Sequence, residues 1–367
     1  MNLVCPVNFI RRHCRVIIAV FFTSAGLFLR FKKLANRDLW CDEIWQLAQT
    51  VGSFKPIWEK VHLIDYTCFS GDYFLTYPFV HFLGDSKWAI NIPHYFTTLL
   101  GFFIFYLICR KYLKTALSFT IGFLILCFNG NLIFHSFEFR PYAVLPTLSL
   151  AAFYFIDMII SKWENLSWLK KSLIGIFVLF VVSFHIFGIM IIGSCFIYSI
   201  IIETRKPYYG EVIKKMMPFL LCIGFLAFLL FFWHTSGTMW NSINNENTFK
   251  YYPDPANDFI HFMRQVFANL MGNKKYGQKF LALGIWIAFL LPHKDRLKQI
   301  GFFLVMIVMP ILCILMADIY SGYWFLDRQF IWVMPLYAFL LSWCWDSIFK
   351  YDWKGSMLMR WLNKKTI

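Results

Sequence analysis

Apolar runs close to 20 residues long recur along most of this 367-residue sequence, and they leave few folds open to it. A helix needs about 20 apolar residues to cross a bilayer, because each adds about 1.5 Å against a hydrocarbon core roughly 30 Å thick. Inside lipid the backbone must satisfy its own hydrogen bonds, so such runs fold as packed helices. They place ten candidate spans near 16–31, 88–109, 115–133, 143–161, 172–186, 188–202, 217–233, 279–292, 302–317 and 330–349. The fold class is therefore an all-α integral membrane bundle, a single polytopic domain over 1–367. Only 15% of the residues are charged, against about 25% in soluble domains, and no stretch could form a separate soluble domain.

Charge sets the orientation. Arg11, Arg12 and Arg15 lead into Val16–Leu29 with no small-residue cleavage site after it, so the first run is expected to stay as a span. The N-terminus, the connections near 110–114, 162–171, 203–215 and 293–298, and the C-terminal tail hold well over half of the Lys and Arg and few of the Asp and Glu. That face is expected to be cytoplasmic, with both termini on it. The net charge of +15 then reflects topology and contact with anionic lipids. It does not point to nucleic acid, because no nucleic-acid motif accompanies it.

Two outward segments are long. The first, 31–87, carries short Trp-rich amphipathic stripes at Asp42–Thr50 and Pro56–Leu63, which are expected to lie in the membrane interface. The second, 234–278, opens polar and turns helical after Asp258, a candidate N-cap. The ten cysteines form no CxxC pair and no zinc-like spacing with His. Cys41 and Cys68 share the first outer loop, in a compartment that permits a disulfide.

Three charged clusters fall at the outer edge: Asp42-Glu43, His135 through Tyr142, and Asp327-Arg328 opening the last span. Charges are costly at a membrane surface unless they serve a purpose. Carboxylates suit deprotonation of a hydroxyl, and the guanidinium fork suits phosphate oxygens. Each residue also has a plainer role. Asp42 can cap a helix, Glu138 and Arg140 can brace two spans, and Arg328 can reach up to headgroups. His185 can simply satisfy a broken helix, and Lys32, Lys33 and Lys87 can act as interfacial anchors.

At these residues the chain resembles the GT-C glycosyltransferases, in the branch of protein O-mannosyltransferases and the aminoarabinose transferase of lipid A. Trp40-Cys41-Asp42-Glu43 resembles that branch's first-loop acidic motif, and Glu138-Phe139-Arg140-Pro141-Tyr142 its Glu-x-Arg-Pro-Tyr signature. Gly84-Asp85-Ser86 with Pro93, His185-Ile186-Phe187-Gly188, and Arg328 with Pro335 are similar to further family segments, in the same order. Three departures stand out. Cys68-Phe69-Ser70 lies where a proline motif is usual, Asn91 where an Arg is common, and Gln329 where Tyr usually follows the Arg.

The resemblance implies a GT-C-type bundle that uses a polyprenyl-phosphate sugar in a bacterial cytoplasmic membrane. The acceptor would be a glycan, lipid or protein hydroxyl on the outer face. Asp42 would be the base and Glu43 would orient the acceptor or tune Asp42. Arg140 and Arg328 would bind the donor phosphate, with Glu138, Tyr142 and His185 in support. No cofactor is required by such chemistry, no metal ligands are assigned, and dependence on a divalent ion stays open. Two rival readings remain: a transporter or flippase of a lipid-linked anion, and a GT-C-like assembly partner without activity.

Overall fold

A computed structural model of the chain describes residues 6–54, 69–203, 209–235, 276–321 and 327–351. It is helical throughout these residues. The chain order is α1 (Pro6–Ala35), α2 (Cys41–Thr50), α3 (Ser70–Leu83), α4 (Lys87–Tyr112), α5 (Ala116–Phe128), α6 (Gly130–His135), α7 (Leu145–Ser161), α8 (Trp168–Val182), α9 (Phe187–Glu203) and α10 (Tyr209–Thr235). It continues with α11 (Tyr276–Leu290), α12 (Arg296–Phe302), a π-helical stretch Phe303–Val308, α13 (Met309–Ser321), a 3-10 segment Asp327–Val333 and α14 (Met334–Lys350). The proposed helix at Pro56–Leu63, the helical start at Asp258 and nearly all of the second outer segment lie outside the described residues.

Among the described residues five stretches are long and apolar enough to cross a membrane, not ten: His13–Ala35, Lys87–Tyr112, Gly210–His234, Arg296–Met316 and Arg328–Lys350. This is an integral membrane protein by that measure. The other expected spans are shorter helices, and local chemistry explains why. The third run breaks at Asn129-Gly130. The Asn129 N–H closes α5 on Ile125 O (3.0 Å), and its side chain accepts from Leu132 N (3.0 Å) to open α6. The run near 172–202 breaks between Val182 and Phe187. A helix of 13–17 residues measures only roughly 20–25 Å.

The most buried stretch is the least apolar of the five. Every residue of the best 18-residue window in Arg328–Lys350 is enclosed by the rest of the bundle. Its polar groups are answered internally. Asp346 accepts from Lys114 N (3.0 Å), Thr115 N (2.7 Å) and the Ser118 hydroxyl (2.8 Å) at one end. At the other end, Ser149 donates to Trp332 O at 2.7 Å. Lipid supplies no hydrophobic drive for helices to associate, so close packing must hold them. Small residues permit it: a side chain at Gly122 would meet the Ser342 hydroxyl at 2.4 Å, and one at Gly101 would meet the Thr147 hydroxyl at 2.4 Å. Gly101→Leu should therefore destabilise the α4–α7 contact by about 1–3 kcal/mol, and adding Thr147→Ala should restore part of it. Thermal unfolding of the two variants in detergent measures both.

Two backbone devices fix the upper part of the bundle. The N–H groups of Phe69 and Gly71, orphan donors at the start of α3, bond to Phe184 O (3.1 Å) and Ser183 O (2.8 Å) in the α8–α9 break. Gly188 lies against Val181, where a Cβ would sit 2.4 Å from its carbonyl oxygen. A reporter fused after Gly52 should face the side opposite to one fused after Lys170. Reporters on one side would remove the expected topology.

Candidate functional site

The site is built outward from α2. Trp40, extended at φ −102° and ψ 174°, is the N-cap. Its N–H donates to Glu43 Oε2 at 3.1 Å, which is the carboxylate half of a capping box. An indole cannot supply the reciprocal acceptor, so the cap rests on Glu43. Asp42, considered as the cap from the sequence, instead lies in the first turn, free of capping and favourably placed at the helix's positive end.

The polar residues of α2 face inward, with Trp45 and Leu47 packed beside them and Ile44 turned outward. Glu43, Gln46 and Thr50 are buried one turn apart, while Trp40, Ile44 and Val51 are exposed. This inversion suits a helix lying in an interface, with lipid outside and polar machinery within. Glu43 is fully buried. It accepts from Phe139 N at 2.6 Å and forms an ion pair with Arg37. Burial raises its carboxyl above the ordinary value and the charge of Glu138 adds to this, while the two backbone N–H groups and Arg37 oppose them.

Phe139 belongs to the connection between α6 and α7, which carries Glu138, Arg140 and Tyr142, all buried. Glu138 accepts from His135 Nδ1 at 2.5 Å. Its Oε1 lies 3.5 Å from Arg328 Nη1. Burial works to raise this carboxyl, but His135, Arg328 and Arg140 together hold it below its usual value. Arg328, at the head of the enclosed helix, also places Nη2 3.3 Å from Asp42 Oδ2. Its guanidinium is bracketed by the Trp40 ring (5.1 Å to the centroid) and the Tyr142 ring (5.0 Å). One cation therefore joins carboxylates from two distant parts of the chain. Asp42 differs from the other two acids in its access, since its side chain keeps 35% of its exposure while those of Glu43 and Glu138 keep 0% and 3%.

His185, in the α8–α9 break, closes the far side. Its ring lies 5.3 Å from that of Tyr142, and the charges of Arg140 and Arg328 both reach it. Its Nδ1 accepts from Phe187 N at 3.2 Å, which assigns the proton to Nε2. That Nε2 is buried with no hydrogen-bond partner among the described residues. The structure thus brings together Asp42, Glu138, Arg140, Tyr142, His185 and Arg328. Cys41 is an exposed free cysteine and Cys68 lies outside the described residues.

A second buried cluster has no counterpart in the sequence reading. Asp72 of α3 accepts from Gln46 Nε2 (2.6 Å), and its Oδ1 lies 3.3 Å from His94 Nε2 of α4. All three are fully buried. The cluster ties α2 to α3 and α4, below the turn that holds Asp42. The signal available in the sequence was a lone carboxylate inside the apolar run Ser70–Leu83. Among the described residues, no group of three or more His, Cys, Asp or Glu is placed to hold a metal ion.

Comparison with family models, with curated proteins and with solved structures finds no match to this chain. The geometry therefore carries the functional argument. It separates the two adjacent acids. Glu43→Gln removes the charge that Arg37 pairs with and turns one acceptor into a donor, so it should destabilise the protein by about 1–3 kcal/mol. Asp42→Asn should leave stability within about 0.5 kcal/mol. Thermal unfolding of the two variants side by side checks the contrast.

Proposed function

We propose that the protein is a GT-C-type membrane glycosyltransferase, moving a sugar from a polyprenyl-phosphate donor to an acceptor hydroxyl at the outer face. The observation that carries this reading is the unequal treatment of the three acids. Glu43 and Glu138 are sealed in by donors, and Asp42 keeps an open edge beside an arginine. In this reading the basic connections and both termini lie on the cytoplasmic side.

The positions suit a single inverting displacement. The acceptor oxygen attacks the anomeric carbon with inversion, and its proton passes to an Oδ of Asp42. The bond from that carbon to the phosphate oxygen breaks, and the electron pair leaves on the phosphate. Arg328 couples the two events. While Asp42 is ionised, part of the Arg328 charge is spent on it at 3.3 Å. Once Asp42 takes the proton, that charge turns to the departing phosphate, where it is needed. Arg140 adds a second cation, and the unpaired Nε2–H of His185 supplies a further donor. Glu43 is a positioning residue here, because it holds the turn that carries Asp42. Glu138 and Tyr142 fix the plane of Arg328. The donor phosphate is already a leaving group, so the step needs no metal for its balance.

The test is reconstitution in lipid with labelled polyprenyl-phosphate sugars and candidate acceptors. Wild-type protein should consume donor only when acceptor is present. Asp42→Asn should fold and bind donor, yet lose on the order of 10²–10⁴ in turnover. Arg328→Lys should rescue only partly relative to Arg328→Ala, since a point charge cannot span two carboxylates and a phosphate. A well-folded Asp42→Asn protein with full activity overturns the mechanism. Donor crossing the bilayer without transfer would favour a transporter instead.

A further inference from the structure

The opposite end of the bundle holds a cleft that the transfer reaction does not use. It lies where the start of α1, the end of α4 and the start of α5 meet, and its walls are Arg15, Val16, Tyr106, Arg110, Lys114 and Ala116, with Cys14 at the rim. It is an open cleft of about 580 Å³. Arg15 is held in place by donating to the Lys114 carbonyl. Arg110 and Lys114 are exposed.

The carboxylates that reach the turn between α4 and α5 are engaged elsewhere: Asp157 with Lys111, and Asp346 with Lys350 and the backbone N–H groups of Lys114 and Thr115. Among the described residues, none of the three cleft cations has a carboxylate partner. The cleft also continues into apolar surface. On α1, Val16 and Val20 are one turn apart and exposed, at 44% and 60%. On α4, Phe103, Tyr106 and Arg110 follow helical spacing along one face, and Phe103 is 55% exposed. Cations at the membrane edge above an apolar track match the shape of a phospholipid, with headgroup at the end of the bundle and chains alongside.

We propose that this cleft is a binding site for an anionic phospholipid. Its phosphate is held by the Arg15 fork and by Arg110 and Lys114, and its chains run along Val16, Val20 and Phe103. Three cations favour a headgroup carrying two phosphates over one carrying a single phosphate. The inference stands apart from the transfer reaction, because none of these residues belongs to the site around Asp42.

The experiment uses the full-length protein in phosphatidylcholine bilayers containing a minor share of phosphatidylglycerol or diphosphatidylglycerol. Lipid retained after extraction into detergent is counted by native mass spectrometry at about 0.15 M salt. Wild type should retain the anionic lipids, diphosphatidylglycerol most strongly. The variant Arg15→Gln/Arg110→Gln/Lys114→Gln should lose retention by on the order of 100-fold, and Arg110→Gln alone by about fivefold. Arg110→Gln alters one exposed side chain and so tests the site even if the triple variant misfolds. A control with the same charge change at the same face, Lys162→Gln/Lys170→Gln/Lys214→Gln, should retain lipid as wild type does. Equal loss in the control would show a diffuse basic surface and overturn the site, as would retention unchanged in Arg110→Gln. Inorganic phosphate at millimolar concentration should not displace the lipid. If it does, the cleft takes a free anion and the lipid assignment fails.

Discussion

Everything at the Asp42 end of this bundle hangs on one buried carboxylate. Glu43 gathers the N–H of its own helix cap, the N–H of Phe139 almost a hundred residues away, and the charge of Arg37. A buried carboxylate is costly unless all its partners are present, so the three groups are drawn to one point with little freedom. The α2 helix is thereby fixed against the α6–α7 connection. Asp42, Trp40, Glu138 and Tyr142 then fall around one volume, and Arg328 enters it from the head of the central helix.

The central helix explains why that arginine can be placed so closely. A lipid-facing helix can tilt and turn, whereas the Arg328–Lys350 stretch is enclosed over most of its length. Asp346 grips the turn between α4 and α5 at one end, and Ser149 grips Trp332 near the other. Both contacts are polar and directional, so they set rotation as well as depth. The cost is a span with polar atoms in it, and this is why it is the least apolar of the five.

The parts legible in the sequence were those where charge interrupts hydrocarbon. Asp42-Glu43, Glu138 through Tyr142 and Arg328 are conspicuous against apolar neighbours, and the structure gathers them at one place. Three things were not legible. The burial of Glu43 and openness of Asp42 depend on which acid faces inward, and that is set by a cap at Trp40, a residue with no capping side chain. The break at Asn129 divides an expected span, and hydropathy averaged over a window runs straight across it, whereas the break at 183–186 falls where the sequence already separated two spans around His185-Ile186-Phe187-Gly188. The Asp72–His94–Gln46 cluster joins three elements, each contributing one polar residue that looks incidental alone. Pairing across elements leaves no local pattern to find.

The order of the two acids in α2 has a consequence of its own. Successive residues on a helix point about 100° apart, so neighbouring side chains look in nearly perpendicular directions. The inward one has been made into a joint and the outward one keeps an open edge. A reversed pair would have the same composition and charge, but its shorter acid would be the one asked to span the gap to Phe139, and its longer one would overreach towards Arg328. The chemistry of this corner is therefore written in side-chain length and helical phase, not in the presence of two negative charges.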